Sequence, residues 1–302
     1  MVNILFLTLS NIFIFNFAQS QRNLLSEIVK SRCIQWTIEH RAYDISCNEV
    51  WNSFESILLS PAAQSECVMK SELYDDFVRH LFELEQQNQQ QNLTQSERYF
   101  HSQVLKVIRG ICKRLGVCRS LETTFAGYLF DDLDWCDGSL TGNTKYGTAC
   151  GCNSSSSVVY AFWKSASAEY ARRASGNISL VLNGSAKAPF DENRTFGKIE
   201  LPQLKFPRVN QITVKLIYNL DDTGYRQRCD SWSLQELAKK LNSANIPFLC
   251  IDDPLEFRHY HCIENPYKQR CQFSASSNLN IFKLPLILFS LLVFLISYIL
   301  MY

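Results

Sequence analysis

Acids set beside aromatic residues are the groups in this sequence whose types and spacing could do chemistry. Glu122 precedes an apolar run. Asp131, Asp132 and Asp134 lead to Trp135, and Trp163 follows Phe162. Glu200 stands at the start of an alternating segment, "GKIELPQL". A carboxylate near an aromatic surface can stabilise the oxocarbenium-like sugar that forms when a glycosidic bond breaks. Each residue also has a plainer reading. Glu122 at a helix start would complement the helix dipole, Asp131 and Asp132 would form a solvated face, Trp163 would be core, and Glu200 would point outward from a strand. Taken singly, each plainer reading is the commoner. Taken together, the four sites point toward glycosidic-bond chemistry.

Other chemistries lack their residues. There are five histidines and no GxSxG stretch, so no Ser-His-Asp constellation can be argued. The 11 glycines are scattered and build no phosphate loop. No CxxC pairs occur at zinc spacing, and no metal is expected. A net charge of +1 with no basic stripe gives no reason to expect nucleic acid.

The ends and the cysteines point outside the cell. Residues 1–18 are almost wholly apolar, and a signal peptide over residues 1–20 is expected. At the far end, small residues at Ser274, Ala275, Ser276 and Ser277 precede a spacer and an apolar tail from Leu284 to Tyr302. That order reads as a glycolipid-anchor signal over 273–302, with attachment near Ser274. The competing transmembrane helix would lack a basic flank. Twelve cysteines on a secreted chain read as a disulfide framework. Five sequons, at Asn92, Asn153, Asn177, Asn183 and Asn193, fit a glycoprotein. The expectation is an extracellular protein held to the cell surface by lipid.

The elements that must position these groups change character along the chain. Up to Gly176, apolar residues recur mostly at helical spacing: "NLLSEIVKSRCIQW", "NEVWNSFESILLS", residues 71–91, "SLETTFAGYLFDDLDW" and "VVYAFWKSASAEYARRAS". "YFHSQVLKVIRGICKRLGV" could be strand or helix. After Gly176 come short β-branched runs, "NISLVLNGS", "GKIELPQL", "QITVKLIYN" and "IPFLCID", with a helix, "SLQELAKKLNSAN", between the last two. The expected fold is α+β and two-lobed, with a short mainly parallel sheet and a cleft between lobes.

Laid side by side, "LETTFAGYLFDDLDWC" and "AFWKSAS…LVLNGSAKAPFDENRTFGKIE" resemble the ADP-ribosyl cyclase / NAD glycohydrolase family. The typical family forms are roughly LEDTLxGYLxDDLxWC and FWKxxS…xLNGSxxxxFxxxSTFGxxE. The resemblance runs from about Arg32 to Cys271. It implies a catalytic domain over 21–272, with a helical lobe from 21–94 and 120–174 and an α/β lobe from 95–119 and 175–272. By resemblance Cys33 pairs with Cys47, Cys67 with Cys152, Cys136 with Cys150, Cys229 with Cys250, and Cys262 with Cys271. A sixth family bridge has lost both partners here, at positions near Gln95 and Ser175, which leaves Cys112 and Cys118 to pair locally.

The resemblance also implies roles. Glu200 would be the catalytic carboxylate and Glu122 the second one, holding the nicotinamide amide. Asp131 would be a companion acid and Trp163 the wall that stacks on the base. Ser102, Ser167, Thr195 and Phe196 would hold phosphate and ribose. NAD is then substrate rather than cofactor, with NADP and a homodimer left open. Three positions depart from the family. Thr123 replaces the second acid of "LED", His101 stands where a tryptophan wall is usual, and Gln103 stands where arginine is frequent. A histidine is a smaller wall for folding NAD so that adenine reaches the sugar, which implies mainly hydrolysis with minor cyclisation. His101 together with the lipid-anchor tail resembles the outer-surface, hydrolysing branch of the family from blood flukes. The alternatives are a mainly cyclising enzyme and an inactive surface receptor on the same fold.

Overall fold

The computed structural model describes residues 24–60, 70–88, 97–114, 116, 118–135, 157–220, 226–268 and 271. The signal, the anchor segment with Ser274, the sequons Asn92 and Asn153, and Cys67, Cys136, Cys150 and Cys152 lie outside them.

The amphipathic runs form α1 (24–40), α2 (Cys47–Leu58) and α3 (Glu72–Asn88). Ser46 caps α2 by accepting the Glu49 amide at 3.4 Å. Strand β1 (Arg98–Ser102) follows, then α4 (Leu105–Ile108), which continues as a π-helical segment over Arg109–Arg114. The stretch left open between strand and helix is therefore both. A 3-10 turn (Leu121–Thr123) leads into α5 (Phe125–Phe130). The helix expected over the whole of "SLETTFAGYLFDDLDW" is only these two pieces, and the chain turns away at Asp132, whose φ is 59°. Ser157 caps α6 (Val158–Arg172), which ends four residues short of Gly176.

Strands β2 (Gly176–Asn183), β3 (Val209–Ile217) and β4 (Phe248–Asp252) complete a four-stranded sheet in the order β1-β2-β3-β4, all parallel. Helix α7 (Trp232–Ser243) makes the expected β3–α7–β4 unit, and α8 (Leu255–Glu264) closes the described chain. The central strand β2 is buried from Ile178 to Leu182 without alternation, as a parallel strand covered on both faces must be. Ile178, Leu180 and Leu182 face one core with Phe54, Tyr74, Phe130, Trp135 and Phe162. Val181 faces a smaller core with Tyr99, Ile108, Phe257 and Tyr260.

One strand expectation fails. "GKIELPQL" is not a strand: Phe196–Glu200 is π-helical and Leu201–Gln203 is a 3-10 turn. Phe196, Ile199 and Glu200 are all buried, which is helical spacing, and Pro202 cannot donate to a ladder. Asn177 and Asn193 are exposed, and Asn183 is half-buried with its Oδ1 accepting the Ser185 amide at 2.9 Å. Cys33–Cys47, Cys112–Cys118, Cys229–Cys250 and Cys262–Cys271 are bonded as expected. No described helix is long and apolar enough to cross a membrane.

Candidate active site

A cavity of about 410 Å³ opens at the C-terminal end of β1, where ligands of parallel sheets usually sit. His101, Ser102 and Gln103 come from the end of that strand. Glu122 comes from the 3-10 turn, Trp163 and Ser167 from one face of α6, and Thr195 and Glu200 from the π-helical segment and the residue before it.

Local sequence sets each of these positions. The Arg98–Arg119 bridge ties the segment carrying Glu122 to β1, with the Tyr99 amide donating to the Arg119 carbonyl at 2.7 Å. Thr123 Oγ1 closes the turn around Glu122, accepting the Ser120 amide at 3.0 Å and donating to the Ser120 carbonyl at 2.9 Å. Gly127 lets α5 press against this turn, because a Cβ there would meet the Leu121 carbonyl oxygen at 2.0 Å. Gly197 does the same for the Glu200 segment, where a Cβ would fall 2.5 Å from Glu192 Cα.

The electrostatics divide the two carboxylates. His101 Nε2 donates to Glu122 Oε1 at 3.0 Å. Burial opposes the charge on Glu122, but His101 holds its carboxyl at about 2. Burial likewise opposes the imidazolium, while Glu122 and Glu200 keep His101 above its ordinary value. Glu200 makes no ion pair among the described residues. Burial pushes its carboxyl up to about 8, against His101 and with help from Glu122, while a hydrogen bond from Ser167 favours the ionised form. The site thus holds a hydrogen-bonded His101–Glu122 pair that favours the imidazolium and, facing it at neutral pH, a largely protonated acid that a cationic ligand would ionise.

Two expected residues stand behind the lining. Phe196 is buried with its ring 5.9 Å from Phe100. Asp131, which the plainer reading had in solvent, is 2% exposed and ion-paired with Arg109, with Lys113 at 3.7 Å. Tyr160, Tyr170 and Arg194 also line the cavity and were not singled out from sequence, and Asn193, expected only as a glycosylation site, lines it too. Tyr160 and Tyr170 could have been, standing three residues before and after Trp163 and Ser167 on α6. The His101–Glu122 bond had no signal in sequence spacing.

The chain has relatives over this same span. The ADP-ribosyl cyclase profile matches residues 22–271. Mouse "ADP-ribosyl cyclase/cyclic ADP-ribose hydrolase 1" is 26% identical over 255 residues, covering 83% of this chain and 80% of that protein. "ADP-ribosyl cyclase/cyclic ADP-ribose hydrolase" of Aplysia californica is 25% identical over 261 residues, covering 83% and 87%. A crystal structure of ADP ribosyl cyclase complexed with N1-cIDPR superposes with a TM-score of 0.64 at 23% identity, covering 83% of this chain and 98% of that one. Porcine CD38 complexed with a covalent intermediate, ribo-F-ribose-5′-phosphate, gives 0.62 at 26% identity, covering 76% and 95%. Matched from residue 22 to residue 271, the chain is an enzyme of the ADP-ribosyl cyclase family.

Proposed function

We propose that the protein is an extracellular NAD glycohydrolase that cleaves the nicotinamide–ribose bond to give ADP-ribose and nicotinamide, with cyclisation minor. The observation that carries this reading is Glu200: a buried carboxyl without an ion-pair partner among the described residues, in the same cavity as Trp163. Nicotinamide in NAD is already cationic and leaves without an acid. What the reaction needs is an anion beside the sugar C1′ as positive charge develops there, and a surface for the departing ring.

In this reading Trp163 stacks on nicotinamide, and Glu122, fixed by His101, holds its carboxamide. The pyridinium ring entering the cavity favours ionised Glu200. Its carboxylate then stabilises or captures C1′ as the C–N bond breaks, and water replaces it there. Ser102 and Thr195 hold phosphate and ribose at the rim, and Ser167 orients Glu200. Phe196 and Asp131 support the site from behind. The four disulfides among the described residues agree with an oxidising compartment. Attachment to the outer membrane surface near Ser274 belongs to the same proposal.

Hydrolysis is favoured over cyclisation because His101 is bonded to Glu122 rather than free to act as a stacking wall. Incubation of the secreted 21–274 fragment with NAD, with chromatographic separation of products, tests the reading. ADP-ribose should dominate, and cyclic ADP-ribose as main product would overturn the hydrolytic assignment.

A further inference from the structure

Tyr170 is wholly buried on α6, lines the inner wall of the catalytic cavity, and bonds to the two segments that lead to His101 and Glu122. We propose that Tyr170 is a positioning residue: its hydroxyl fixes the gap between α6 and the paired segments bearing His101 and Glu122, and so sets the width of the slot from which nicotinamide departs. The proposal rests on the glycohydrolase reading and goes further, by naming what holds the two sides of that slot apart.

The hydroxyl sits at a junction. Trp163, Ser167 and Tyr170 stand on one face of α6, four and three residues apart. The Tyr170 hydroxyl donates to the Arg119 carbonyl at 2.7 Å, with the Tyr99 carbonyl 3.2 Å away. The Tyr99 amide donates to the same Arg119 carbonyl. From this point the chain runs two residues to His101 and three to Glu122. One hydroxyl therefore joins the helix of Trp163 to both halves of the His101–Glu122 pair.

The ring is gripped as well. Arg98 donates from Nη1 to the Tyr170 carbonyl at 2.6 Å and lays its guanidinium over the ring, 4.5 Å from the centroid. Phe100 packs on the same ring at 5.0 Å and meets Phe196 at 5.9 Å, where the Glu200 segment begins.

Ring and hydroxyl do different work. A phenylalanine would fill nearly the same space, so packing needs only the ring. Burying the hydroxyl is unfavourable unless a partner takes its proton. The carbonyl that takes it already accepts the Tyr99 amide, so the bridge pairs its main chain without Tyr170. What the bond adds is a fixed distance from α6 to the bridge. Trp163 stands about two turns from Tyr170 along that helix. In the proposed reaction nicotinamide lies between Trp163 and Glu122, so this distance becomes the width of its slot. A shift of about 1 Å in such a slot costs up to about a hundredfold in rate.

Tyr170→Phe tests the proposal, with Tyr218→Phe as control. Tyr218 also buries its hydroxyl on a main-chain carbonyl, that of Gln227 at 2.8 Å, but it is not among the residues lining the catalytic cavity. Both variants keep the ring, and thermal melting identifies the folded fraction of each. Per folded molecule, Tyr170→Phe should lower kcat for nicotinamide release from NAD by at least about tenfold. The inhibition constant of free nicotinamide should rise, while that of ADP-ribose stays at its wild-type value. Tyr218→Phe should leave all three constants unchanged. Wild-type kcat and nicotinamide inhibition in folded Tyr170→Phe, or an equal rise for ADP-ribose, would overturn the proposal. Nicotinamide release precedes both hydrolysis and cyclisation. A mainly cyclic product would therefore count against the hydrolytic reading and leave the result for Tyr170 readable.

Discussion

Two regions of this protein bury acids, and they treat them oppositely. Behind the sheet edge, Glu85 is 2% exposed and meets Arg119 at 2.7 Å, in a cluster where Arg98 stacks on the Tyr170 ring. Asp131, buried to the same degree, is held by Arg109. In the cavity, Glu200 is nearly as buried, yet no arginine or lysine pairs with it among the described residues. His101, the nearby basic group, spends its Nε2 on Glu122 instead. A buried acid given a guanidinium is structure. One left with a hydroxyl and a neighbouring acid has been kept available for a charge that arrives from outside.

That contrast breaks most sharply at Glu200. Glu200→Gln should lower kcat by at least about a thousandfold, since the charge acts mainly on the transition state. The variant should melt no lower than wild type, because it removes an acid that burial disfavours. Full activity in a chromatographic NAD assay would end the comparison.

The other region should answer in the opposite way. Arg119→Met takes the guanidinium from the buried Glu85 carboxylate, and loss of one partner of a buried pair is worth about 3 kcal/mol or more of stability. Burial already raises the Glu85 carboxyl above its ordinary value against the pull of Arg119, so the loss should shrink as pH falls and the acid takes up a proton. Denaturant unfolding at two pH values checks this. Activity per folded molecule should stay close to that of wild type.

The smallest effect is in the pH dependence, and it sharpens the contrast. The acid limb of kcat/KM for NAD should follow Glu200, rising toward about 8 instead of levelling near an ordinary carboxylate value. In kcat the same limb should lie lower, because bound cationic substrate favours the ionised form. Stability moves the other way. The folded chain keeps the Glu200 proton between the ordinary 4.5 and about 8, so this group's contribution is full below 4.5 and is lost as pH rises through that window. Glu122, held at about 2, contributes above 4.5 and loses that contribution as pH falls. Melting curves of wild type and Glu200→Gln should therefore converge toward acid and separate toward alkali.

Much of this was legible in sequence, and what was not has physical reasons. Periodicity located α1, α2, α3, α6 and α7 and strands β2, β3 and β4, but it left α4 open and missed α8; β2 and β3 are largely buried, whereas β4 alternates half-buried and exposed residues. It failed at Phe196–Glu200, where five residues are too few to separate alternation from helical spacing. The longer pattern around Glu122 hid a break at Asp132 that only a left-handed φ reveals. The cavity's membership was readable only through family motifs, since Glu122, Trp163 and Glu200 come from three elements far apart in the chain. That Asp131 is armoured by Arg109, and that His101 pairs with Glu122, are tertiary facts between residues about twenty positions apart.

The Arg98–Arg119 bridge explains that last pairing and constrains how the protein can change. His101 lies three residues past Arg98, and Glu122 three residues past Arg119. The two side chains meet because two backbone segments count off equal steps from a common tie. Substitutions at either position keep the count. A single inserted or deleted residue on either side would break it and uncouple the pair without touching either side chain. Across descendants of this gene, the site should therefore drift by exchange of letters while the spacing from 98 to 101 and from 119 to 122 stays fixed.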